Sequence, residues 1–364
     1  MRLIAVLLFS ISFTSCAWAD DALKQALDQE LTAMECPGAL VGILVGDKEP
    51  TVYALGVADV DTKAPMQRDF HMRVASVTKL FVGTAILLLA DEGKLSLDDP
   101  ISKYVDNVPG GDKITLRQLG NNTSGLFNTI ENKDFQAIIV KEPRRPWTAE
   151  EILHYAFTQP SYHAPEEKKF RYSNTNSVLL GEVLKKVTGQ SYADFINEHI
   201  IKPLGLKETG FIADADVPPP ASSSYRNGYP DKWLGYGKVF YNVTGYSSSW
   251  TGAAGNMYST VDDLLAAGKA LTTGKLLSEE SRHVLTDWVP TGYENVRYGF
   301  CLGERDGWVG HTGDVPGYSN FLAYFPDKDT TVVTLSNLSN NADGTSPAER
   351  LRDIVIKELQ LTEK

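Results

Sequence analysis

Strand-like runs gather at the two ends of this 364-residue chain, and helix fills the middle, an arrangement that limits the fold sharply. Residues 39–45 and 51–57 alternate apolar and small side chains about the turn Gly46-Asp47-Lys48. Near the other end, residues 299–302, 318–325 and 330–336 repeat that style, the last two joined by Pro326-Asp327-Lys328-Asp329. A polar helix is expected over residues 22–33 and an amphipathic one over 347–361. Between the strand groups, helices are expected over 149–157, 177–187, 192–201, 261–271 and 278–288. A sheet built from both termini, with helix inserted between its parts, is an α/β (α+β) sandwich. An antiparallel sheet flanked by helices and a mainly helical subdomain over about 100–260 are therefore expected, with a cleft where they meet. There is no internal repeat, and Pro218-Pro219-Pro220-Ala221-Ser222-Ser223-Ser224 reads as a surface loop.

The first residues read as an export leader. Arg2 precedes an apolar run over residues 3–13, and Ala17-Trp18-Ala19 supplies the small-residue cleavage pattern before Asp20. The run is too short for a membrane span, so residues 1–19 are expected to be removed, leaving 20–364 as one large periplasmic or secreted domain. Cys16 after Phe13-Thr14-Ser15 loosely resembles a lipoprotein processing site, a lesser alternative.

The formal charge of −11, or −12 without Arg2, disfavours nucleic acid and anionic membrane surfaces as partners. The six histidines form no pair or Cys/His cluster with ligand spacing, so neither metal nor other cofactor is expected. Cys36 and Cys301, the two cysteines left after cleavage, allow one disulfide without requiring it.

Three short motifs carry the chemistry. Ser76-Val77-Thr78-Lys79 lies where a strand-like run over 70–75 gives way to a long apolar helix over 80–90. At helical pitch the Ser76 hydroxyl and Lys79 amine are neighbours, nucleophile beside base, and the unpaired N–H groups of a first turn favour developing negative charge. Arg171-Tyr172-Ser173-Asn174 precedes another helix and puts a phenol and an amide on one loop, although Tyr-x-Asn also occurs at Tyr225, Tyr293 and Tyr318. His311-Thr312-Gly313-Asp314 opens a strand region in which Thr312 and Asp314 share a face and Gly313 permits close backbone approach, as on a strand that binds substrate along its edge.

In this order the motifs resemble those of the penicillin-recognising serine hydrolases, in the branch of class C β-lactamases and serine D-Ala-D-Ala carboxypeptidases, with His-Thr-Gly the carboxypeptidase-like form. Thr123-Ser124-Gly125-Leu126, Pro203-Leu204-Gly205-Leu206 and Gly252-Ala253-Ala254-Gly255 extend the resemblance over nearly all of residues 20–364. It implies that Ser76 is acylated, that Lys79 and Tyr172 move protons, and that Asn174 binds the acyl-side amide. It further implies an oxyanion hole from the N–H groups of Ser76 and Asp314, a leaving-group side lined by His311 and Thr312, and an aromatic wall at Trp250. Whether amine or phenolate is the base stays open.

Two departures bear on the substrate. Where such carboxypeptidases can carry an arginine for a substrate carboxylate, Tyr298-Gly299-Phe300-Cys301-Leu302 runs into Gly303, with Arg305 a potential substitute. Asp314 adds negative charge that disfavours a free carboxylate unless a protonated His311 compensates. Asn122 stands where many relatives have histidine. The leading expectation is a D-Ala-D-Ala carboxypeptidase-like or D-amino-acid peptidase. An esterase or amidase favouring neutral or cationic leaving groups follows, then a β-lactamase or a non-catalytic binding or sensor protein. No Gly-x-Ser-x-Gly elbow supports a different hydrolase fold.

Overall fold

The computed structural model describes residues 14–212, 215–228, 237 and 239–362, so most of the expected leader lies outside the described residues. Strands Gly38–Val45 (β1), Thr51–Gly56 (β2), Val289–Pro290 (β3), Val296–Tyr298 (β4), Gly303–Arg305 (β5), Trp308–Val315 (β6), Tyr318–Phe325 (β7) and Thr330–Ser336 (β8) form one antiparallel sheet. Its order is β2-β1-β8-β7-β6-β5-β4-β3, with the chain's first strand against its last, Ala39 opposite Ser336.

Period-two alternation divides this sheet between two cores. Ala39, Val41, Ile43, Phe321, Ala323 and Val332 pack with Leu27 and Leu31 of helix Thr14–Ala33 (α1). Leu351 and Val355 of the C-terminal helix lie in the same core. Leu40, Leu322, Val333 and Leu335 face the other way, toward Phe81 and Ile86 of helix Thr78–Asp91 (α2) and toward the helix beginning at Val261. Because both faces are covered, the strands read as nearly continuous apolar runs rather than alternating ones. Helix α2 is buried almost all round, from Thr78 to Leu87, and meets helix Asn174–Thr188 (α3) of the inserted region and helix Val261–Thr272 (α4) of the sheet layer. The terminal helix is Pro347–Leu359 (α5), capped at Ser346, whose hydroxyl accepts from Glu349 N.

Several expectations change. Helix α1 extends from Thr14 through the expected cleavage point at Ala19. The run 70–75 gives only the short strand Met72–Arg73, and 278–288 gives the helix Glu279–Leu285. Residues 299–302 are a loop between β4 and β5, because Phe300 seats on Gly120, where a Cβ would come within 2.2 Å of the ring, and Cys301 turns through φ +57. The apolar run is thus satisfied by burial against helix rather than in the sheet. The loop beginning at Pro218 is docked rather than merely superficial: Ser222 and Ser224 are buried, and Pro220 O accepts from His71 N. Cys36 and Cys301 are buried free thiols in the two different cores, so they form no bridge. Among the described residues no helix is long and apolar enough to cross a membrane.

Candidate active site

Ser76 does not sit on the α-helix itself but on the one-turn 3-10 segment Ala75–Val77 that leads into α2. The turn is entered through Ala75 at φ +49, a left-handed conformation costly for a residue with a Cβ. Strand β6 fixes this geometry from the other side. A Cβ on Gly313 would lie 2.4 Å from Val74 O and 3.2 Å from Ser76 N, so glycine lets β6 come against the backbone of Ser76.

Lys79 brings its Nζ within 2.8 Å of Ser76 Oγ. The same nitrogen is 2.9 Å from Asn174 Oδ1 and 2.8 Å from Ala254 O. Only 1% of Lys79 is exposed, and burial pulls its amine down from the ordinary lysine value to about 7. In its neutral form the amine has two N–H donors and one lone pair. Asn174 Oδ1 and Ala254 O can only accept, so they take the two donors and leave the lone pair for the Ser76 hydroxyl. Tyr172 Oη donates to Ser76 Oγ at 3.1 Å, which the serine oxygen can accept while donating its own proton to lysine. Burial pushes the Tyr172 phenol well up, and nearby negative charge acts in the same direction, so it rests as a neutral donor. Of the two groups, the Lys79 amine in its neutral form is the one that presents a lone pair to the Ser76 hydroxyl, while the phenol presents a proton.

Asn174 is oriented by a residue that sequence reading missed. Asn128 Oδ1 accepts from both Asn174 N at 3.0 Å and Asn174 Nδ2 at 3.3 Å, which turns Asn174 Oδ1 toward Lys79. The motif loop has a second anchor in Asn122, at φ +58, whose Oδ1 accepts from Ser173 N and from Asn176 Nδ2. Asn122, given no role from sequence, therefore holds Tyr172 and Asn174 in place. Its left-handed conformation is one that asparagine tolerates better than most residues.

His311 and Gly313 face the Ser76 turn, and by alternation Thr312 and Asp314 face away from it. His311 Nδ1 lies 2.5 Å from Thr312 O, a pure acceptor, so Nδ1 carries the proton and Nε2 accepts from Tyr298 Oη at 3.0 Å. Burial, with the Lys79 charge behind it, lowers the imidazole to about 3. The protonated His311 considered from sequence is thus replaced by a neutral ring set between Tyr172, to which it is tilted, and Tyr298, which it meets edge-on, with centroids 6.1 and 5.9 Å away. Arg305 does not substitute for a carboxylate-binding arginine either: it is exposed, opposite Trp308 at the far end of β5, and paired with Asp306.

β5 pairs with β6 only as far as Gly310, so among the described residues the edge of β6 from His311 onward is unpaired and open to an extended substrate. Past Gly313 this edge borders a cavity of ≈ 550 Å³ lined by Asp314, Val315, Ile130 and the buried Trp250, which stands in the turn Ser249–Ala254 that also supplies the carbonyl to Lys79. All nine residues singled out from sequence, Ser76, Lys79, Tyr172, Asn174, Trp250, His311, Thr312, Gly313 and Asp314, thus lie on the proton network, on the open strand or on the cavity wall. Among the described residues no group of three or more His, Cys, Asp or Glu side chains is arranged to hold a metal ion.

Comparison with known proteins identifies the family and the fold. Residues 23–356 match the family described as Beta-lactamase. Protein flp of Staphylococcus aureus (strain MW2) is 29% identical over 329 residues, 86% of this chain and 62% of that protein. The putative penicillin-binding protein PbpX of Bacillus subtilis (strain 168) is 28% identical over 269 residues, 74% of this chain and 62% of its own length. The chain thus spans about three fifths of these curated relatives. Among solved structures, a D-stereospecific amidohydrolase from Streptomyces sp. superposes with a TM-score of 0.82 at 29% identity, covering 94% of this chain and 99% of that one. The D-amino acid amidase of Ochrobactrum anthropi SV3, complexed with D-phenylalanine, gives 0.83 at 27% identity, covering 94% and 98%.

Proposed function

This chain belongs to the Beta-lactamase family, and from that premise we propose that it hydrolyses small amides or peptides of D-amino acids through an acyl-enzyme on Ser76. The observation that carries the reading is the contact of one buried amine, lowered to about 7, with the serine hydroxyl, at 2.8 Å. Ser76 Oγ gives its proton to Lys79 as it bonds to the substrate carbonyl carbon, and the oxyanion is received by the N–H groups of Ser76 and Asp314. Collapse breaks the C–N bond while the Tyr172 phenol protonates the departing nitrogen. The resulting phenolate, balanced by the Lys79 ammonium 5.1 Å from its ring, then takes a proton from the water that attacks the ester. Lys79 returns its proton to Ser76 Oγ as the acid leaves, and the network is restored.

Amide hydrolysis is favoured over removal of a C-terminal residue because both cations that sequence offered for a substrate carboxylate are out of play: His311 is neutral and Arg305 is paired elsewhere. The amidohydrolase and amidase neighbours support the same preference. The leader-like residues 1–19 support export of the mature chain to the periplasm or medium.

The test is intact mass of the protein after brief exposure to D-phenylalanine amide and to a D-Ala-D-Ala peptide, alongside steady-state hydrolysis of each. A D-phenylalanyl adduct and turnover in the parent, both absent from Ser76→Ala, are expected. Turnover retained in Ser76→Ala overturns the acyl-enzyme, and turnover of the D-Ala-D-Ala peptide alone reinstates the carboxypeptidase.

A further inference from the structure

The cavity past Gly313 carries a carboxyl that no partner among the described residues balances. Of the charged groups on its wall, Glu349 and Asp353 share the Arg352 guanidinium, at 3.2 and 2.8 Å. Arg350 is paired with Glu30, and Arg226 is not free. Asp314 differs from all of them. No hydrogen bond or cation acts on its carboxyl among the described residues; the protein packed around it, and then the Glu349 carboxylate, push it up to about 7, so an approaching cation is what would hold it fully ionised. Its own charge in turn reaches the Tyr172 phenol.

Asp314 is exposed at the cavity mouth, so water reaches its carboxyl in the empty cleft, although the protein around it already disfavours the charge. A substrate acylating Ser76 and resting on Trp250, Ile130 and Val315 would cover the cavity and remove that water. A carboxylate stripped of water and left unpaired is costly, whereas one that meets a cation is compensated. The site therefore discriminates at the moment it closes over its substrate: a neutral group opposite Asp314 carries the desolvation penalty, an anionic one adds repulsion, and an ammonium removes both. An ammonium on a short stem also leaves the rest of the substrate free to contact the apolar wall.

We propose that Asp314 is a specificity-determining residue and that the group it selects is a protonated amine on the part of the substrate entering the Trp250 cavity. The inference rests on the acyl-enzyme reading above and names its substrate class: amino-acid amides and esters with a free amine, in preference to N-acylated ones.

The experiment compares kcat/KM for D-phenylalanine amide with that for N-acetyl-D-phenylalanine amide and for 3-phenylpropanamide, in the parent, Asp314→Asn and Asp314→Glu. The readout is the amine-to-neutral ratio within each protein, so any general loss of activity cancels. A ratio of about tenfold or more is expected in the parent, carried by KM, falling toward unity in Asp314→Asn and retained in part in Asp314→Glu. Salt should erode the parent's ratio, a result that needs no variant to fold. A parent ratio near one, or a ratio unchanged in Asp314→Asn, overturns the inference. 4-Nitrophenyl 3-phenylpropanoate separates the two failures. If this neutral ester acylates Ser76 while the amine ratio is near one, only the selectivity fails, and if no substrate labels Ser76 the acyl-enzyme reading fails with it.

Discussion

Lys79 and Asp314 are the two ionisable groups nearest to deciding what happens at Ser76, and the fold treats them in contrary ways. Lys79 is buried, with three polar partners within 2.9 Å, each supplied by a different element. Asp314 is exposed on an open strand edge, with no partner among the described residues. One is finished before substrate arrives, the other is completed by it. Proton transfer needs fixed donors and acceptors, because reorganisation during the reaction adds to the barrier. Selection needs an unmet requirement that the right ligand supplies. The contrast teaches that the two tasks are divided along β6, with His311 and Gly313 turned to the machinery and Asp314 turned to the choice of substrate.

The largest effect should come from removing the finished side. Lys79→Met keeps the length and apolar stem of the side chain but deletes the base, and kcat/KM should fall by about 10²- to 10⁴-fold for every substrate alike. A loss that depended on whether the substrate carries an amine would break the division between the two sides. In the parent, the same amine sets the pH profile for neutral substrates, and the Asp314 carboxyl, pushed up to about 7, adds its own step only for substrates that carry an amine. Below about 7 Lys79 is an ammonium without a lone pair, so kcat/KM should fall tenfold per pH unit there and level off above it. His311, lowered to about 3, contributes no ionisation between pH 5 and 8. A second limb in that interval, lost in His311→Asn, would show the imidazole titrating and restore the cation excluded above.

A smaller effect should follow from loosening the support of Lys79 rather than removing it. Asn128→Ala deletes the acceptor that orients Asn174, and a fall in kcat of about 10- to 100-fold with KM nearly constant is expected. Asn128→Asp restores an acceptor for both N–H groups and should recover part of the loss. Its added negative charge favours the Lys79 ammonium, so the rise in the pH profile should move to higher pH. Recovery without that move would place Asn128 outside the electrostatic reach of the lysine.

The two sides were not equally legible in sequence. The sheet from both chain ends, the Ser76 to Lys79 spacing and the Tyr172 to Asn174 loop were readable because periodicity and short spacings are local properties. What lay hidden depends on contacts between distant segments. Asn128 and Asn174 are 46 residues apart, and nothing in Phe127-Asn128-Thr129 signals a shared acceptor. The neutral state of His311 requires its burial beside Tyr298 to be known, and residue type alone left either state open. The run 299–302 looked like strand because apolar residues suit either a sheet or a buried loop, and Cys301 at φ +57 is decided by packing against Gly120 and its neighbours. Asp314 was visible as an unexpected charge, and its consequence emerged only when its neighbours proved to be paired with one another.

The smallest effect is also the one that sharpens the comparison most, because it should run opposite to the others. Benzylpenicillin carries a carboxylate and no amine, so on the finished side it can acylate Ser76, and on the open side it meets repulsion from Asp314. A slow penicilloyl adduct is expected in the parent and none in Ser76→Ala. Asp314→Asn removes the repulsion without adding a cation, and at a separation of several ångströms in a partly wetted cleft the rate of adduct formation should rise by about three- to tenfold. The same substitution is expected to slow D-phenylalanine amide, so the two probes should cross, one gaining where the other loses. Added salt should shrink both changes in the parent and leave Asp314→Asn nearly insensitive, since the screened charge is then absent. A variant that lost activity on both probes in proportion would mean that residue 314 acts through the shape of β6 and its N–H group, and the division of labour along the strand would have to be redrawn around Trp250 alone.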